Sequence, residues 1–149
     1  MAYRKPFEKD LYDAYDNPAK VALVSILEAD GHDVKATSEN YYADVESVYD
    51  GVVHYSEAEV KRAWQEAWPE SWAEIRIPER KSRLIKKYNG NVTFYVFNTD
   101  VTQCWKIKGK DLTADLLKPA FGRNIRSGEL FYHYPYINAE LVKVPNERS

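Results

Sequence analysis

Apolar residues recur at helical spacing early in the chain, with Ala19, Ala22, Leu23, Ile26 and Leu27 forming one face. The pattern predicts a helix over "NPAKVALVSILEADG", with Asn17 as its cap, Pro18 at its first position and Gly31 ending it. The period then drops to two. "HDVKATSE" reads as a short strand, and "NYYADVESVYDGVVHYSEAEVKRAW" as a hairpin turning at Asp50-Gly51. On its first arm Tyr42, Asp44 and Glu46 share a face. On its second arm Tyr55, Glu57, Glu59 and Lys61 share one, while Ala58 and Val60 point the other way.

Downstream, "QEAWPESWAEIRI" reads as irregular: Trp64, Trp68 and Trp72 recur at fours, but Pro69 interrupts any single helix through them. Pro78 opens a predicted helix, "PERKSRLIKKY", closed by Asn89-Gly90. "NVTFYVFN" is apolar on both faces, as a buried central strand is, and "TQCWKIKG" alternates as its neighbour. A weak helix is expected around "DLTADLLKPAF", followed by the aromatic run "LFYHYPYINAEL". Helix, three strands, helix, two strands is an α/β order with a mixed central sheet flanked by helices. With 149 residues and neither repeat nor linker, the chain reads as one domain over 1–149.

The 44% hydrophobic and 30% charged content is that of a soluble globular protein. No apolar run approaches the roughly 18 residues of a membrane span, and the N-terminal residues lack the apolar core of a signal peptide. Cys104 is alone, which excludes an internal disulfide and suggests a reducing cytoplasm. His32, His54 and His133 lack zinc spacing. The net charge of −2 hides an asymmetry. Residues 1–60 carry 5 basic and 13 acidic side chains; residues 61–90 carry 8 and 4, and residues 91–149 carry 8 and 6. Carboxylates suited to a divalent ion are therefore followed by Lys and Arg suited to a phosphate backbone.

Phosphodiester cleavage needs an aimed water and neutralised charge at phosphorus, which carboxylate-held divalent ions supply. Asp44 on one hairpin arm and Glu59 and Lys61 on the other have the strand parity to share a face, with the lysine near the water or phosphate. A second Glu-x-Lys, Glu79-Arg80-Lys81, lies in a predicted first helical turn, where its residues diverge. In this context, a helix, an acid-bearing hairpin, a basic helix and a buried strand, the chain resembles the PD-(D/E)XK nuclease superfamily over roughly residues 17 to 108. The resemblance implies a restriction-endonuclease-like core, with residues 109–149 as a C-terminal extension for specificity or oligomerisation. It makes Asp44 the acid of the PD element, preceded by Ala43 rather than proline, and Glu59-Val60-Lys61 the E-x-K element. It further implies magnesium, with manganese able to substitute, bound by Asp44, Glu59 and the Val60 carbonyl, with Lys61 assisting the water. The acid that many members carry early in the first helix is replaced here by Lys20; Asp16, Glu28, Glu46 and Glu57 are the candidates for an additional acid. Arg80, Lys81 and Arg83 are candidate nucleic-acid contacts.

The expected activity is that of a metal-dependent DNA endonuclease of homing, restriction or junction-resolving type, cutting as a homodimer or larger assembly. RNA as the substrate is equally open. The alternative is a non-catalytic nucleic-acid or protein-binding module on the same scaffold. For the acids themselves the bland reading is a solvated sheet face with ion pairs contributing under about 1 kcal/mol each. The three tryptophans read as packing groups, and His133 as structural.

Overall fold

The computed structural model describes residues 17–37, 43–120, 125 and 128–145. Helix α1 (Asn17–Ala29) is followed by β1 (Asp33–Thr37), β2 (Val45–Tyr49) and β3 (Val52–Val60). After an irregular stretch come β4 (Glu74–Pro78), a 3₁₀ turn (Glu79–Lys81) and α2 (Ser82–Lys87). Strands β5 (Val92–Phe97) and β6 (Gln103–Lys108) lead to two further 3₁₀ turns, then β7 (Leu117–Pro119), β8 (Leu130–Pro135) and β9 (Glu140–Lys143).

Six strands form one mixed sheet in the order β1-β2-β3-β5-β6-β9, in which only β3 and β5 run parallel. A second, antiparallel sheet has the order β4-β8-β7. The predicted α/β class with a mixed sheet holds, although strand outweighs helix among the described residues. Strand β1 is the outer strand on one side, where a bulge between Val34 and Ala36 breaks its pairing with β2.

The central strand β5 explains the layering. Val92, Phe94 and Val96 enter a core shared with Trp64 of the irregular stretch, Ile75 and Ile77 of β4, Leu84 of α2 and Tyr132 of β8. Tyr95 and Phe97 point the other way, against Ala19, Leu23, Ile26 and Leu27 of α1. Alternation therefore places α1 on one face of the large sheet, and α2 with the small sheet on the other.

Three expectations change. "EIRIP" within the stretch read as irregular is a strand, with Ile75 and Ile77 inward and Arg76 exposed. Pro78 ends that strand, and the expected helix beginning there is a 3₁₀ turn plus only six α-helical residues. The weak helix around 111–121 is instead two 3₁₀ turns and β7, because Pro119 supplies no N–H to continue a helix. Beyond residue 108, β9 pairs with β6, and β8 with β4. Among the described residues no helix is long and apolar enough to cross a membrane.

Candidate active site

The hairpin builds the site. Asp50 and Gly51 both have positive φ, 53° and 77°, the conformation of a two-residue turn whose twist matches the strands. That turn fixes the β2–β3 register at Tyr49↔Val52 through Val45↔Ser56, so the next position, Asp44, faces Glu57. Two hydrogen bonds tie Asp44 to the facing strand. The Asp44 N–H donates to Glu57 Oε1 at 3.2 Å, and the Ala58 N–H donates to Asp44 Oδ2 at 2.8 Å. The expected cross-strand partner, Glu59, lies two residues further along the same face.

A lysine does meet these acids, and it is Lys81. Pro78 ends β4 and the 3₁₀ turn swings Lys81 over β3, where its Nζ lies 2.6 Å from Glu57 Oε2 and 3.6 Å from Glu59 Oε1. Its side chain is 13% exposed and that of Glu57 7%, so this is a largely desolvated ion pair. On the far side, Lys20 of α1 places its Nζ 3.8 Å from Asp44 Oδ1. A cation thus stands where the resemblance implies an acid.

Tyr88, just after α2, stacks on Tyr55 at 3.9 Å between ring centroids and accepts the Ala43 N–H at 3.2 Å. It thereby pins the backbone leading into Asp44. Nothing in the sequence pattern singles out Tyr88.

Burial, and then the neighbouring Glu57, push the Asp44 carboxyl up to about 7, well above the ordinary carboxylate value. Burial pulls the Lys81 ammonium down, but Glu59 and Glu57 outweigh it and leave the pKa raised, so this lysine is charged at neutral pH. Lys61 behaves differently: burial, then the nearby Arg76, lower its pKa. Its Nζ stands over the Trp72 ring, 5.7 Å from the centroid.

The other candidates are dispersed. Glu46 pairs with Tyr55, one strand repeat from Asp44. Glu28 is exposed near the C-terminus of α1, eight residues beyond Lys20 and so about 12 Å along the axis. Asp16 lies outside the described residues. The Val60 side chain packs toward α1, which leaves only its backbone near the acids. Arg80 is exposed with Nη1 3.5 Å from Glu129 Oε2, and Arg83 is exposed on α2. His133 is buried between Glu74, at 3.2 Å, and the Lys118 carbonyl, at 3.3 Å, in a structural role. Trp64 is fully buried, and Trp68 and Trp72 pack against the same core.

Carboxylate oxygens are the donor type that a hard cation takes. Besides burial, the Glu57 charge acts on the Asp44 carboxyl and raises its pKa, and a divalent ion would relieve that repulsion. Among the described residues no three acid, His or Cys side chains are gathered as a ready metal cage. Magnesium, which keeps several waters, takes only one or two carboxylates together with substrate phosphate. Comparison of the sequence with protein-family models and with curated proteins gives no match.

Proposed function

We propose that this protein is a metal-dependent phosphodiester hydrolase acting on nucleic acid, DNA in the first instance, on a core of restriction-endonuclease type. The observation that carries this reading is the Asp44–Glu57 pair, with the Asp44 N–H donating to the Glu57 carboxylate and the Ala58 N–H donating to the Asp44 carboxylate, beside a largely buried lysine. The element order supports it too: a helix, an acid-bearing hairpin, then a crossover through α2 to a strand parallel to β3, with β4 inserted on the way.

Asp44 and Glu57 are the groups that would hold magnesium or manganese. When bound, such an ion neutralises charge on the phosphate and on the departing oxygen. Glu59, one repeat along the face, orients the attacking water and accepts its proton. Lys81 trades its carboxylate contacts for the phosphate oxygens, where its charge favours the crowded transition state. The reactive glutamate is thus Glu57, with Glu59 where the E-x-K element would place its lysine, and Lys81 supplies the ammonium from another part of the chain.

Incubation with supercoiled plasmid and a four-way junction tests this. Cutting in magnesium or manganese, absent in EDTA and in Asp44→Ala and Glu57→Ala, is expected. Lys81→Met should cut about a hundredfold more slowly. No cutting of either substrate with either metal would overturn the hydrolase. One observation favours the second reading, a binding module: Lys20 and Lys81 already neutralise the acids without a metal. Salt-sensitive binding without cutting would establish it.

A further inference from the structure

Two histidines far apart in sequence meet on the α1 side of the large sheet. His54 lies on β3 three residues before Glu57, and alternation puts it on the opposite face from that acid, with Ala58 and Val60. His32 joins α1 to β1. Gly31 ends the helix at a φ of 93°, and the His32 N–H donates to the Leu27 carbonyl at 2.9 Å, which fixes the backbone there. The His32 ring then lies against β2. It stacks on Tyr49 with centroids 4.9 Å apart and planes 20° apart, and its Nδ1 is 2.9 Å from Oγ of the buried Ser47. Ser47 faces His54 across the β2–β3 pairing, and the two imidazole centroids stand 4.9 Å apart with an interplanar angle of 67°.

Each imidazole has a nitrogen to offer. With Ser47 accepting the Nδ1–H of His32, Nε2 of that ring keeps its lone pair. Among the described residues no hydrogen bond or ion pair engages the His54 ring, which is half-buried. Neutral imidazole nitrogen suits zinc, nickel and copper, whereas magnesium takes oxygen. Two imidazoles sharing one tetrahedral ion through nitrogens at about 2.1 Å have ring centres about 5 Å apart. The observed spacing matches that, on a His32 ring already held by Ser47 and Tyr49. Edge-to-face packing of the two rings also gives this spacing, and by itself predicts no metal binding. With only two protein donors, the remaining positions on the ion go to water or to an external ligand.

We propose that His32 and His54, with Ser47 orienting His32, form a two-histidine site for a divalent ion of the zinc class, separate from the carboxylate pair on the other face of the sheet.

Calorimetric titration of the tag-free protein with zinc chloride at pH 7.5, in excess magnesium to occupy any oxygen site, tests it. His32→Gln and His54→Gln should each weaken zinc binding about a hundredfold, and Ser47→Ala about tenfold. Asp44→Asn should leave the zinc affinity unchanged. With cupric ion in place of zinc, the wild-type electron paramagnetic resonance spectrum should carry nitrogen hyperfine splitting that His54→Gln reduces. His54 makes no hydrogen bond among the described residues, so His54→Gln decides the matter if His32→Gln fails to fold. No zinc binding by the wild type, or equal affinity in wild type and His54→Gln, would overturn the site. Loss of zinc binding in Asp44→Asn but not in His54→Gln would assign the ion to the carboxylates and overturn it likewise.

Discussion

Asp44 has an ionisable carboxyl where water is scarce and Glu57 is opposite. With its folded pKa raised to about 7 from 3.8, folding takes up a proton in that interval. Its contribution to stability is thus complete below about pH 3.8 and lost as pH rises through about 7. Asp44→Asn retains the acceptor for the Ala58 N–H and removes the charge. Without metal it should melt about 3 °C above wild type at pH 8, the equivalent of about 1 kcal/mol, and level with it below about pH 4, as thermal denaturation would show. The same exchange should abolish cutting. The sequence contained the Asp44–Glu57 pairing, because a two-residue turn at Asp50-Gly51 pairs positions equidistant from it. The Glu-x-Lys motif points to Glu59, one strand repeat beyond the position that faces Asp44. Lys81 was beyond reach of local pattern: its place depends on where β4 docks, 24 residues from Glu57.

At the scale of elements, the close approach between the ends of β5 and β6 is the point of least tolerance. A Cβ on Gly109 would stand 2.7 Å from the Val92 carbonyl oxygen and 2.8 Å from its Cγ1, so backbone has to shift. Gly109→Ala should cost about 2 kcal/mol, seen as a fall of about 6 °C in Tm. Gly109 itself carried no signal in the sequence, because nothing local marks the approach of a second strand. The strongly patterned elements were readable: α1, the hairpin and β6 through their periods, and β5 through being apolar on both faces. Strand β4 also alternates, but the tryptophans spaced at four before it obscured that alternation. The leucines at 112, 116 and 117 mimic a helical period that Pro119 prevents from being realised.

For the molecule as a whole, an ion at the proposed site would couple to folding. A cation that binds only the folded chain stabilises it, by about 2.7 kcal/mol at a hundredfold its Kd. Binding at Asp44 must also expel the proton held below about pH 7. Magnesium or manganese should therefore raise Tm at pH 8 and do so much less at pH 5.5, and Asp44→Asn should flatten both responses. Unaltered melting at both values would argue against an ion at this position. The pairing of β8 and β9 with β4 and β6 makes the C-terminal third a structural part of both sheets. The irregularity between Val34 and Ala36 has a different consequence, for association. An outer strand left straight and apolar is a template for another chain's backbone, yet β1 is kinked there and carries Asp33 and Lys35 as a 2.6 Å pair. Neighbouring molecules are thereby discouraged from extending the sheet. Replacing both charges with valine should show the reverse as time-dependent light scattering and growth of β-rich aggregate at unchanged pH.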